Sequence, residues 1–222
     1  MTKRLAVAVA TAALVFAACR EAAAPASSGS PSFQVGNGNG QSGMNLHPRG
    51  FGENSLAAWK AKEGQPDTRG KADHALYLQK FTATATFAAG VAVVDGLEGQ
   101  PATALTILSW EHRNTDGWCG AGAPRWNIGL TDANGDAGVA FLGCSAATQV
   151  PSNAAGWTID SWNVQAEIAA AIALYGLDPP TTTITGLAIV FDEGTDVGPG
   201  FVYLDNIIVN LNRWTSPSDN SN

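Results

Sequence analysis

Four residues near the middle of the chain have the chemistry of a sugar-binding patch. Trp118 and Asp116 lie in a turn-rich stretch, Arg113 comes just before it, and Arg125 follows shortly after it. The C–H faces of a sugar ring stack on exposed aromatic side chains, while carboxylate and guanidinium groups bond its hydroxyls. We therefore expect Trp118, Asp116, Arg113 and Arg125 to form a ligand patch. The alternative is that Trp118 packs inside the protein and shields a disulfide.

Tryptophan is unusually frequent, with seven in the chain. A domain of this size does not need all of them in its interior. We expect Trp110, Trp126 and Trp157 to fill the core, which leaves a surplus for a ligand.

Acidic residues raise the question of hydrolysis. Glycosidases work with two carboxylates roughly 5 to 10 Å apart, and Glu111 and Glu193 are the candidates here. No spacing ties these two residues together, and neither an E-x-D-x-E nor a G-x-S-x-G signature is present. A glycoside hydrolase is therefore the least favoured functional class.

The chain has three cysteines, Cys19, Cys119 and Cys144. Cys119 and Cys144 flank two strand-like runs, 124–131 and 138–143, which the turn 132–136 joins into a hairpin. Because a hairpin brings its ends together, we expect a Cys119–Cys144 disulfide, with two buried free thiols as the alternative. Two separated cysteines and three scattered histidines lack zinc-ligand spacing, so the sequence predicts no zinc site.

The N-terminus has the features of an exported protein. A basic start followed by the apolar run 5–18 is too short to span a bilayer and is typical of a signal peptide, residues 1–18. The run ends Phe16-Ala-Ala-Cys19, which resembles the lipobox of bacterial lipoproteins, and the resemblance implies lipidation of Cys19. Plain cleavage at an A-x-A site is the alternative. Arg20 would direct a Gram-negative lipoprotein to the outer membrane.

Composition divides the rest of the chain into a tether, one domain and a tail. Residues 19–45 are rich in Ala, Ser, Gly and Pro and predict a flexible tether. We expect the folded domain at 46–214 and a disordered tail at 215–222. The net charge of −7 argues against nucleic acid as a partner, so contact with the membrane is expected through the lipid anchor only.

Short apolar runs with turn signals between them predict an all-β domain, an antiparallel β-sandwich. One helix interrupts this pattern near 163–176, where Asn163 is the expected N-cap and Gly176 the expected end. The predicted strands are 76–87, 91–94, 104–112, 125–131, 139–144, 157–162, 184–191 and 201–210.

The last of these strands carries a resemblance. Phe201-Val-Tyr-Leu-Asp-Asn-Ile-Ile-Val-Asn210 resembles the terminal Leu-Asp-Asn-Ile strand of galactose-binding-like β-jelly-rolls, the fold of many carbohydrate-binding modules. The stretches 119–127 and 190–196 are similar to segments of uncharacterised exported bacterial proteins of this kind. The resemblance implies a jelly roll and a carbohydrate ligand.

The same resemblance implies a structural calcium ion at Asp205. Strand alternation places Asp205 on one face with Phe201, Tyr203, Ile207 and Val209, and an unpaired carboxylate among apolar neighbours is costly. Calcium needs six to eight oxygen ligands, and Asp73 is a candidate second ligand. The alternative is an Asp205 satisfied by hydrogen bonds from a neighbouring turn.

These observations predict a non-catalytic surface module, most plausibly carbohydrate-binding, exported and anchored to the cell envelope. The competing class is a structural or envelope-interaction lipoprotein with no small ligand, for which all tryptophans would be buried.

Overall fold

The computed structural model describes residues 43–66 and 73–221. The predicted signal peptide, Cys19 and nearly all of the predicted tether lie outside these residues. Within them the chain forms two antiparallel sheets and one α-helix. This confirms the all-β sandwich with one helix, a layout compatible with a jelly roll.

The strands are numbered along the chain. They are β1 (Asn45–Phe51), β2 (Ser55–Lys60), β3 (Ala75–Lys80), β4 (Ala89–Asp95), β5 (Leu108–Arg113), β6 (Arg125–Thr131), β7 (Ala137–Gly143), β8 (Thr148–Pro151), β9 (Trp157–Ser161), β10 (Thr183–Phe191), β11 (Phe201–Val209) and β12 (Asn212–Trp214). The five-stranded sheet has the order β1-β4-β10-β6-β7. The seven-stranded sheet has the order β2-β3-β11-β5-β9-β8, and β12 pairs with the end of β11.

Alternating side chains from both sheets fill the space between them. Trp126 on β6 and Trp110 on β5 are fully buried and stack with ring centroids 5.2 Å apart, which joins the two sheets. Trp162 packs edge-on against Trp110 at 4.7 Å. Trp110 and Trp126 are therefore core residues, as expected. Trp157 is also buried, but it belongs to a separate cluster with Tyr77 and Tyr203 on the outer face of the seven-stranded sheet.

The single helix, α1 (Val164–Tyr175), begins and ends as the sequence predicts. The Asn163 side chain accepts a hydrogen bond from Ala166 N, and Gly176 ends the helix in the left-handed conformation at φ 70°. Val164, Ile168 and Ala171 are its buried residues. The helix packs against β7, where Gly138 makes room for the Tyr175 ring, since a Cβ there would lie 2.5 Å from a ring carbon.

The predicted hairpin and disulfide are both confirmed. β6 and β7 pair along their whole length, and the turn between them is organised by Asp132, whose Oδ1 accepts hydrogen bonds from Asn134 N and Asp136 N. Hydrogen bonds from the backbone, that of Asp178 N first, lower the pKa of Asp132. Cys119 and Cys144 form a disulfide with a Cα–Cα distance of 5.2 Å.

Lys80 ends β3 and organises the loops that follow. Its side chain is 1% exposed, and Nζ donates hydrogen bonds of 2.7 to 2.8 Å to the carbonyl oxygens of Thr84, Thr86 and Asp192. Burial lowers the pKa of the Lys80 ammonium. The predicted strand 76–87 was therefore too long. β3 ends at Lys80, because the chain beyond it turns so that its carbonyl oxygens bind the Lys80 ammonium.

The chain continues past β12 into a short 3₁₀ helix, Pro217–Ser221, within the segment predicted as a tail. The Asp219 carboxylate accepts hydrogen bonds from Thr215 N and Ser216 N at 2.7 and 3.0 Å.

We expect the double variant Cys119→Ser/Cys144→Ser to lose about 3 kcal/mol of unfolding free energy, because the bridge restricts the unfolded chain. The bridge closes a loop with a sequence separation of 25. Urea unfolding of both proteins measures the difference. A phosphine reductant should lower the stability of the parent protein and leave the double variant unchanged. Equal unfolding free energies for the two proteins would contradict the prediction.

Candidate functional site

Trp118 is half-buried and packs against the core, so only part of its surface is open to solvent. The half-buried indole donates its N–H to Glu193 Oε2, and its backbone N–H donates to Phe201 O at 2.9 Å. Gly198 lies so close to the ring that a Cβ there would be 2.6 Å from it. The alternative considered for Trp118, an interior position, therefore describes it better than a free stacking surface.

The two arginines of the expected patch lie on different sheets. Arg125 on β6 makes a bidentate ion pair with Asp192, with N–O distances of 2.5 and 2.7 Å. Arg113 on β5 binds Glu63 Oε2 at 2.8 Å and covers the Tyr203 ring, with Cζ 3.7 Å from the centroid. Asp116 is exposed in the loop after β5. Arg113 and Arg125 thus bind different carboxylates, those of Glu63 and Asp192.

A different set of side chains forms the continuous aromatic surface. Tyr77 and Tyr203 are register partners on β3 and β11, with ring centroids 4.9 Å apart. Phe201 lies 5.7 Å from Tyr77 and 5.9 Å from Tyr203, and Phe81 lies 6.2 Å from Phe201. We call Tyr77, Phe81, Phe201 and Tyr203 the aromatic row. It runs along the outer face of the seven-stranded sheet.

The two ends of the aromatic row differ in exposure. Phe81 is 43% exposed and Phe201 is half-buried. Tyr203 lies beneath Arg113, and Lys60 Nζ lies 3.6 Å from the centroid of Tyr77. The tyrosine end is therefore covered by cations, and the phenylalanine end faces solvent.

Polar groups border the aromatic row. The Tyr77 hydroxyl donates to Gln79 Oε1 at 2.9 Å, and Gln79 Nε2 donates to Asn54 O at 3.3 Å. Burial raises the pKa of Tyr77 to about 12, with a smaller contribution from Tyr203. The hydroxyl therefore stays protonated and remains a hydrogen-bond donor. The sequence prediction did not include this surface, because tryptophan was taken as the residue that stacks on sugars. The alternating aromatic residues along β3 and β11 would have indicated it.

Asp205 lies on the same outer face as Phe201 and Tyr203, as alternation predicts. It does not share that face with Ile207 and Val209, because a β-bulge between Asp205 and Ile208 inserts one residue and turns both into the core. Asn206 occupies the bulge with φ 48°.

Asp205 and Glu111 are register partners on β11 and β5, and N–H donors bind both carboxylates. Asp205 accepts from Gln65 N at 2.8 Å and Asn206 N at 2.6 Å. Glu111 accepts from the side-chain amides of Gln65 and Asn206 at 2.7 and 2.9 Å. Glu193, the other candidate for hydrolysis, is bound instead to Trp118 and to Gly122 N. The structure thus places the two glutamates in separate networks.

A second cluster lies where the disulfide meets the core. Asp160 on β9 is completely buried, and its Oδ2 accepts a hydrogen bond from Trp110 Nε1 at 2.7 Å. His112 Nδ1 lies 2.5 Å from the same oxygen. Gln149 Nε2 donates to Asp160 Oδ1 at 2.9 Å. Cys144 Sγ lies 3.6 Å from Asp160 Oδ2 and 3.9 Å from His112 Nδ1.

We expect protonation of Asp205 to make stability depend on pH. Burial, and to a smaller extent Glu111, raise its pKa from 3.8 to about 6, against the opposing effect of the two backbone donors. Since the native state holds this proton more tightly than the unfolded state, stability should fall by about 3 kcal/mol as pH rises from about 4 to 6. Urea unfolding across this range should show a flatter profile for Asp205→Asn. The exposed control Asp136→Asn should keep the parent slope, and identical profiles for Asp205→Asn and parent would contradict the assignment.

The contacts of Asp205 favour the hydrogen-bonded alternative over the expected calcium ion, and melting experiments can decide between them. The carboxylate oxygens of Asp205 and Glu111 already accept N–H donors, and Asp73, the second expected ligand, uses its backbone oxygen to accept from Gly64 N at 2.8 Å. These N–H contacts are typical of a hydrogen-bonded pair of carboxylates and not of carboxylates that coordinate calcium. We therefore expect the same Tm with calcium and with chelator. A higher Tm in calcium that is lost in Asp205→Asn would show that the ion binds here.

Among the described residues, no helix combines the length and the apolar character needed to cross a membrane. Neither a scan against protein-family models nor a search of curated proteins finds a match for this chain.

Proposed function

We propose that this protein is a non-catalytic binding module that holds a carbohydrate against the exposed end of the aromatic row. The observation that supports this most directly is the open edge of Phe81 and Phe201 at the end of a chain of contacting rings. A sugar presents C–H groups on its ring faces, and these pack well on aromatic rings. The adjacent rings of Phe81 and Phe201 form a surface on which a sugar ring can stack.

Hydrogen-bonding groups beside the row would orient such a ligand. Gln79 lies between the exposed rings and the tyrosines, and its side chain is already fixed by Tyr77 and by Asn54 O. Lys60 borders the row on β2. Binding sites for small molecules commonly combine an apolar surface with a few fixed polar groups of this kind.

The proposal also includes where the protein is located in the cell. An exported, galactose-binding-like module attached through a lipidated Cys19 would display the aromatic row at the cell envelope. The Cys119–Cys144 disulfide supports export, because such bridges persist in oxidising compartments.

Binding without hydrolysis is favoured by the state of the carboxylates. General acid catalysis needs a carboxyl group within reach of the glycosidic oxygen. Asp205 is 2% exposed, and Glu111 and Glu193 both accept hydrogen bonds from neighbouring protein groups.

One observation favours a second function, a structural envelope protein with no small ligand. Four of the seven tryptophans are buried and the other three are half-buried, so none of them offers a fully exposed ring for a sugar. Under this alternative the exposed phenylalanines would serve contacts with other envelope components.

We expect Phe81→Ala and Phe201→Ala each to weaken glycan binding by about three- to tenfold, the range that one aromatic contact contributes. A glycan array and pull-down with insoluble polysaccharides identify the ligand, and titration calorimetry measures the affinity of each variant.

The matched control is Phe141→Ala. Phe141 is 45% exposed, close to the value for Phe81, but it lies on β7 in the other sheet. Its removal should leave binding unchanged. No binding to any glycan, or an equal loss in all three variants, would overturn the proposal and favour the structural alternative.

A further inference from the structure

We propose that the reduced protein binds one zinc ion through Cys119, Cys144, His112 and Asp160, at the place where the oxidised protein has its disulfide. One donor atom from each of these residues lies within 4.8 Å of all the others. The spacing of these residues gave no zinc signal, because they come from two loop positions and from strands β5 and β9. The site does not depend on the proposed carbohydrate function.

The donor set matches the preferences of zinc. Structural zinc sites are tetrahedral and use cysteine sulfur, histidine nitrogen and carboxylate oxygen. Two thiolates beside an imidazole favour zinc over calcium or magnesium, which prefer oxygen ligands alone.

One edge of the required tetrahedron already has a suitable length, and a second is slightly too long. Zinc–ligand bonds of about 2.0 to 2.3 Å place neighbouring donor atoms about 3.3 to 3.8 Å apart. Cys144 Sγ lies 3.6 Å from Asp160 Oδ2 and 3.9 Å from His112 Nδ1. The short His112–Asp160 contact of 2.5 Å must widen, with the ion taking the place of the proton between the two atoms. The two sulfurs separate when their bond is broken.

Surrounding groups hold the carboxylate in the orientation that an ion needs. Asp160 keeps its hydrogen bonds from Trp110 Nε1 and Gln149 Nε2, and such outer partners commonly fix metal ligands. The ion would enter from the side of Cys119 and Gln149, since Cys119 is half-buried and Gln149 is exposed, whereas Cys144 is fully buried.

The disulfide and the ion are alternatives because both need the same sulfurs. A dithiol reductant gives two electrons and two protons to the Cys119–Cys144 bond and is itself oxidised to a disulfide. Zinc binding then releases the two thiol protons to solvent, and the proton between His112 Nδ1 and Asp160 Oδ2 moves to His112 Nε2, so that Nδ1 is free to bind the ion as neutral imidazole. The ion restores a link between Cys119 and Cys144, so it stabilises the protein under conditions in which the disulfide is lost.

The test uses the full chain carrying Cys19→Ser, so that the site cysteines are the only thiols. A phosphine reduces the bridge and becomes a phosphine oxide with oxygen from water, and cobalt(II) is then added as a coloured probe for zinc. We expect one cobalt per reduced chain, with thiolate-to-cobalt charge transfer and tetrahedral absorption bands, and displacement by one zinc. Zinc should also raise the Tm of the reduced protein and leave that of the oxidised protein unchanged.

Variants separate this site from adventitious binding. His112→Ala and Asp160→Asn should weaken zinc binding at least tenfold, and the double variant Cys119→Ser/Cys144→Ser should abolish the charge-transfer band. The control His47→Ala should bind like the parent, because His47 is a partly exposed residue paired with Asp95. Circular dichroism of each reduced variant checks folding. Absence of cobalt uptake by the folded reduced parent, uptake only by an unfolded chain, or equal affinities in His112→Ala and His47→Ala would each overturn the proposal.

Discussion

The buried carboxylate of Asp160 is the interaction on which the centre of the sandwich depends. An ionised group without solvent is very costly unless donors surround it, and here Trp110, His112 and Gln149 bind or contact its two oxygens. Trp110 in turn stacks on Trp126 of the opposite sheet, and Cys144 follows directly after β7. Satisfying one carboxylate therefore fixes β5, β9, the disulfide and the packing of the two sheets against each other.

Hydrogen bonds between charged side chains and backbone atoms also order the loops at the end of the sandwich. The Lys80 ammonium binds three carbonyl oxygens from two loops, and Arg125 binds both Asp192 oxygens and the carbonyl of Gly122. A chain without regular structure leaves many backbone groups unpaired, and buried ions are strong partners for them. Order in these irregular segments thus depends on a few side chains.

The sequence predicts the elements whose signals are local. Alternation identifies β6, a short apolar run identifies β10, Asn134-Gly135 marks the hairpin, and the Asn163 and Gly176 caps mark the helix. β1 was missed because Pro48 interrupts its pattern, and a proline is tolerated there since β1 is an edge strand of its sheet among the described residues. The bulge after Asp205 was also missed, because one inserted residue exchanges the two faces of a strand without changing its composition.

Site residues were harder to predict because their partners come from distant parts of the chain. Trp118 lies in a loop, and its ring was expected to be open to a ligand. In the structure its indole N–H binds Glu193 and its ring packs closely against Gly198. Strand β5 shows the underlying principle. Its alternation directs Trp110 and His112 toward the disulfide, and Glu111 and Arg113 toward the outer face that carries the aromatic row. A shift of β5 by one residue would destroy both clusters at once, so the buried Asp160 that fixes its register also positions the outer surface.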